Sequence, residues 1–86
     1  MQYKLHFENN LLKEIEKLDK ATKEQIVKCL ERIADNNIYF KPLVGKLAGF
    51  YSIRCGKYRI LIAKKSSIDV LIVEIEHRKK VYDWHS

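Results

Sequence analysis

No run of apolar residues in this 86-residue chain approaches the roughly 20 that a membrane-spanning helix needs. The opening MQYKLHFENN lacks a basic segment followed by an apolar core, so it does not read as a signal peptide. Glycine occurs three times and proline once, with no repeat, linker or low-complexity segment, which predicts one domain over residues 1–86. Cysteine is scarce as well. Cys29 and Cys55 lie 26 residues apart and match no zinc spacing, and each sits among apolar neighbours. Both are expected to be small reduced core residues of a cytoplasmic protein. There is no H-E-x-x-H, no Cys/His cluster, no aspartate-rich metal pattern and no phosphate-cradling glycine loop, so no cofactor or metal is expected.

The most informative absence is local. Residues 36–68 hold no acid at all, but they hold seven bases: Lys41, Lys46, Arg54, Lys57, Arg59, Lys64 and Lys65. Residues 1–35 carry seven bases against seven acids, and residues 69–86 carry three against four, so the middle third supplies the net charge of +6. Charge concentrated in this way points to a surface that faces a polyanion rather than to general solubility.

What is present reads as a small α+β domain. Residues 2–7 alternate Tyr3, Leu5 and Phe7 with polar positions, the period of a strand. Asn9 or Asn10 can cap a helix with apolar positions Leu11, Leu12, Ile15 and Leu18. A second helix starts at Asp19 or at Thr22, the latter through a Thr-x-x-Gln box with Gln25, and carries the stripe Ile26, Leu30 and Ile33. Asn36-Asn37 closes the helical hairpin. Residues 38–49 read as a loop marked by Pro42, Gly45 and Gly49. Strands near 50–55, 58–65 and 68–76 follow, turned by Gly56-Lys57 and Ser66-Ser67. The order β-α-α-β-β-β predicts a small antiparallel sheet with an N-terminal two-helix hairpin on one face.

Alternation then sorts the strand residues. Tyr51, Ile53, Cys55, Tyr58, Ile60 and Ile62 take one face; Ser52, Arg54, Arg59, Glu74, Glu76 and Arg78 take the other. His77, in phase with Val73 and Ile75, reads as a hydrogen-bonded core histidine. A row of guanidiniums on an open face suits phosphate, because their planar forks match its oxygens. Cleavage of a phosphodiester without metal favours RNA, whose 2′-hydroxyl can attack the adjacent phosphate. The competing reading pairs Arg54 and Arg59 with Glu74 and Glu76 across the strands, makes Arg78 one more solvating charge, and uses Tyr82 with Trp84 to close an apolar edge.

The segments KPLVGKLAGFYSIRCGKYRILIA and VEIEHRKKVY resemble the RelE/ParE superfamily of toxins from bacterial and archaeal toxin–antitoxin pairs, in particular its RelE-like branch. That resemblance implies a metal-independent, ribosome-dependent messenger-RNA endoribonuclease, with a non-enzymatic gyrase poison as the alternative. It implies Arg54, Arg59, Arg78 and Tyr82 as the catalytic set, and Lys46, Ser52, Lys57, His77 and Lys79 along the RNA. Ser52 falls where the family has the first lysine of a pair, which leaves Lys57, Lys46 and His77 as candidate bases. The implied partners are an acidic RelB-like antitoxin, the ribosome and messenger RNA, with no membrane, in a toxin–antitoxin heterotetramer.

Overall fold

In this structure, a computed structural model, residues 2–77 are described. Alternation over residues 50–64 builds the central hairpin: β3 (Phe50–Cys55) pairs antiparallel with β4 (Tyr58–Lys64). Gly56 at the turn has φ +59°, and a Cβ there would collide with Gln25 Nε2 on the neighbouring helix. The positive φ is what favours glycine here, since the amide end of the Gln25 side chain can swing aside. The chain turns again through Ser66, whose hydroxyl oxygen accepts from the backbone N–H groups of Ile68 and Asp69 and donates to Asp69 Oδ2 at 2.8 Å. It then runs back as β5 (Asp69–His77), antiparallel to β4.

The expected antiparallel sheet extends further on both sides. β1 (Lys4–Phe7) lies parallel to β5, with Lys4 opposite Asp69 and Phe7 opposite Ile72. A two-residue β2 (Lys41–Pro42) pairs antiparallel with β3 inside the stretch read as a loop. The result is a five-stranded mixed sheet in the order β1-β5-β4-β3-β2. The parallel pairing follows from connectivity: two helices separate β1 from the rest and carry the chain across the sheet before it returns.

Those helices are α1 (Leu11–Glu16) and α2 (Lys20–Ala34). Asp19, rather than Thr22, caps α2, accepting from Thr22 N–H at 3.1 Å and from Thr22 Oγ1 at 2.7 Å. Asn10 stands at the α1 cap position without a side-chain hydrogen bond. At the far end Asn36 adopts φ +54°. Asn36 N–H reaches the Ile33 carbonyl and Asn37 N–H the Arg32 carbonyl, a Schellman ending. Leu12, expected on the inner stripe, is 53% exposed.

Ile26 and Ile33 from α2 meet Ile53, Ile60, Ile62, Val70 and Ile72 from the sheet, all fully buried. Each such side chain contributes about 1.5–3 kcal/mol of transfer free energy. The Lys64 ammonium lies 5.2–5.7 Å from the ring centres of Tyr3, Phe40 and Tyr51, closing one end of this core. A smaller apolar cluster, Leu43 and Leu61 with Leu47, Phe50 and Val73, occupies the opposite sheet face.

Two expectations are corrected. Cys29 of α2 and Cys55 of β3 are joined as a disulfide with a Cα–Cα distance of 6.1 Å, so they are not reduced core thiols. Spacing alone could not show this, because the bond joins a helix to a strand that only the tertiary fold brings together. The cytoplasmic reading loses the support it drew from reduced thiols. The phase of β5 also changes midway. Leu61 pairs with Glu74 and Ile62 with Ile72, which leaves Val73 as a bulge. His77 is therefore in phase with Ile75 but not with Val73, which belongs to the cluster on the other face.

Candidate functional site

The register of the central hairpin sets Arg54 directly opposite Arg59 on the face away from the helices. Cross-strand partners on one face have Cβ atoms about 4.5–5.5 Å apart, and like charges so placed repel. Arg59 is also opposite Glu76 on its other side, yet no ion pair within 4.0 Å joins them among the described residues. Arg59 Nε is buried and has no hydrogen-bond partner among the described residues. The pairing of Arg54 and Arg59 with Glu74 and Glu76, weighed from sequence, is thus not made. Arg54 and Arg59 stand as cross-strand neighbours with no acid paired to either among the described residues.

Around them lies a cleft of about 240 Å³ lined by Ile38, Tyr39, Lys41, Ser52, Arg54 and Arg59. No acid lines it. β2 supplies one wall, and its direction is set by alternation. Phe40 turns to the helical side, stacked 5.8 Å from Tyr3 and tilted against Tyr51 at 6.1 Å, while Leu43 enters the small cluster on the open side. Tyr39 and Lys41, each one residue from Phe40 and an even number from Leu43, therefore share the open side with Leu43 and reach the cleft. Tyr39 is 73% exposed, an aromatic face available to stack. Neither residue belongs to the set expected from sequence. Pro42 and Gly45 punctuate the segment as a loop, although the alternation of Tyr39, Lys41 and Leu43 was there to be read.

The other expected residues are dispersed. Ser52 does line the cleft but is 4% exposed, so it forms floor rather than a charged wall. Lys57 and His77 line a separate hollow with Ala21, Thr22, Gln25 and Tyr58 at the start of α2, where the His77 and Tyr58 rings meet edge to face at 5.2 Å. Lys46 is exposed on the short 3-10 turn Gly45–Leu47. Arg78, Lys79 and Tyr82 lie outside the described residues. Among the described residues, no group of three or more His, Cys, Asp or Glu is placed to hold a metal ion.

The open face is polar in its charge. Beyond β4 the sign reverses, and Glu8, Glu14, Glu74 and Glu76 share a hollow between β5 and the start of α1. Burial, then the charges of Glu76 and Glu14, push the Glu74 carboxyl above its usual range. An anionic chain approaching this face is drawn to the β2–β3–β4 side and repelled from β5.

The sequence matches the family described as ParE toxin of type II toxin–antitoxin system, parDE, over residues 5–82. Among curated proteins no match is found. The fold resembles the RelBE2 toxin–antitoxin complex from Mycobacterium tuberculosis at 26% identity and a TM-score of 0.77, covering 91% of this chain and 100% of that one. It also resembles free mutant RelE toxin from E. coli (24% identity, TM-score 0.68, 98% and 94% covered). The archaeal RelE–RelB complex from Pyrococcus horikoshii is similar in fold at 17% identity (TM-score 0.69, 94% and 100% covered).

Proposed function

Because the chain belongs to the family of ParE toxins of type II toxin–antitoxin systems, we propose that it is a toxin of the RelE kind within that family, an endoribonuclease that cuts messenger RNA on the ribosome. The observation that carries this reading is the unneutralised Arg54–Arg59 pair in an acid-free cleft. Two adjacent guanidiniums raise the energy of the free protein slightly and are stabilised when a phosphate lies between them. Attack of a 2′-hydroxyl on the adjacent phosphorus places an added negative charge on its equatorial oxygens. Donors already fixed around that charge lower the barrier without reorganising. Arg54 and Arg59 fill this role, with Arg78 and Tyr82 completing the set from the following segment. Breaking the bond to the 5′ oxygen leaves a 2′,3′-cyclic phosphate and a 5′-hydroxyl, and no metal is required.

The partners follow from the same chemistry. An acidic, RelB-like antitoxin covers the cationic face, and the complex acts in the cytoplasm where translation takes place. Two of the structural relatives named above are themselves toxin–antitoxin complexes. The family name also covers gyrase poisons, which need no phosphate-centred arginine pair.

The test is Arg59→Ala. Cleavage mapped by primer extension on translated transcripts should fall by about 10²–10³, the usual loss when one oxyanion donor is removed. Stability should change by about 1 kcal/mol or less, because a half-buried side chain is lost while a like-charge pair is relieved. Wild-type cleavage should persist in EDTA as long as the ribosomal complex is intact. A protein that leaves transcripts whole but inhibits DNA supercoiling, with or without Arg59, belongs to the gyrase-directed branch.

A further inference from the structure

Ser52 is an uncharged, nearly buried part of the cleft lining, and the register shows what lies beside it. Lys41 of β2 is directly opposite Ser52 of β3, so the two share the open face. We propose that Lys41 supplies the third cation of this cleft, its ammonium bonding the RNA phosphate held by Arg54 and Arg59. The proposal rests on the nuclease reading and extends it to a residue on a different strand.

The backbone of Lys41 is fixed from both sides. Immediately before it, Phe40 is stacked into the aromatic group with Tyr3 and Tyr51. Two residues after it, Leu43 is 7% exposed and its N–H donates to the Phe50 carbonyl at 3.0 Å. Pro42 is tolerated between them because β2 is an edge strand. Lys41 therefore projects from a held strand, not from a free loop. Among the described residues, no carboxylate lies within ion-pair distance of its ammonium, and no acid lines the cleft that it enters.

A lysine offers a compact, rotatable charge, whereas the two arginines offer fixed forks. Placed on the β2 wall, it contacts a phosphate oxygen that the two arginines leave free. It serves as charge, not as a proton carrier.

The experiment separates binding from cutting. Wild type, Lys41→Ala and Lys41→Arg are titrated with a 2′-deoxy oligonucleotide, which cannot be cut, across a salt series. The same proteins are then assayed for cleavage on translating ribosomes. Loss of one phosphate contact on a single strand should make the slope of log affinity against log salt shallower by about 0.7. Lys41→Ala should show that change, with cleavage lowered 10- to 100-fold. Lys41→Arg should keep the slope and most of the rate. Ser52→Lys added to Lys41→Ala should restore both by returning the charge to the neighbouring strand. If Lys41→Ala binds with wild-type slope and cuts at wild-type rate, the proposal is overturned. It is equally overturned if Lys41→Arg is as inactive as Lys41→Ala, since charge alone would then not suffice. If the slope depends on Lys41 but the wild type cuts nothing, the phosphate contact is supported and the nuclease reading falls.

Discussion

At Asp69 two donors converge on one carboxylate: His6 Nε2 lies 2.9 Å from Oδ1, and Ser66 Oγ donates to Oδ2. The His6 hydrogen bond first, then that of Ser66, holds the Asp69 carboxyl below its usual range. A carboxylate depressed in the folded state adds stability that is present above its unfolded value, near 4, and lost as pH falls through the folded value. Glu74 works in the opposite sense. Its raised value favours the protonated form, so its contribution is present at low pH and disappears as pH rises through the window above about 4.5. Asp69→Asn should therefore flatten the acid limb of stability against pH below about 4, as followed by thermal melts at pH 2.5 to 6. The clamp also joins β1 to the start of β5, so the variant should fray that edge first in hydrogen exchange. Neither His6–Asp69 nor the Arg54–Arg59 pairing is visible as a local spacing. The arginine pair was nonetheless legible, because a two-residue turn after Cys55 forces residues five apart into register.

Hydrophobic period made α2, β3 and β4 readable, since each is long enough for its repeat to dominate its punctuation. The second wall of the cleft was not readable for the converse reason. β2 is two residues long and contains proline, and what holds it is Leu43 in a cluster with Leu61, Phe50, Leu47 and Val73. The bulge at Val73 was hidden as well, because alternation carries no mark of an inserted residue. Leu43→Ala should consequently act on function through an element rather than a contact. Emptying that position costs about 2 kcal/mol, the low end for leucine truncation in a half-covered cluster. A change of this size should lower the melting temperature by roughly 8–16 °C for a domain this small. RNA affinity should fall with it even at temperatures where the protein stays folded, because β2 then presents Lys41 and Tyr39 over a range of positions. Calorimetry paired with oligonucleotide titration well below the transition would show both effects.

Over the whole molecule the largest single constraint is the disulfide, which ties the helical layer to the sheet across a 26-residue separation. Cross-links closing loops of that size contribute about 3–4 kcal/mol in the chain-entropy account. Small domains have only about 5–15 kcal/mol in all. Reductant, or Cys29→Ser with Cys55→Ser, should lower the melting temperature by more than 10 °C while leaving the Arg54–Arg59 register intact, as read from oligonucleotide binding in the cold. The strand order has a consequence of a different kind, in time rather than in energy. β5 is the last described strand to be synthesised, yet it sits inside the sheet between β1 and β4. β1 must wait for it, and at 5–20 residues per second the wait from Lys4 to Asp69 is roughly 3–13 s. Lys41, Arg54 and Arg59 are all polymerised during that interval, before β5 joins the sheet that carries them. A nascent chain interrupted just before Asp69 would carry a net charge of +7, against +6 for the finished protein, but not its grip, so a cell that aborts synthesis at that point is left with a loose polycation rather than a poison.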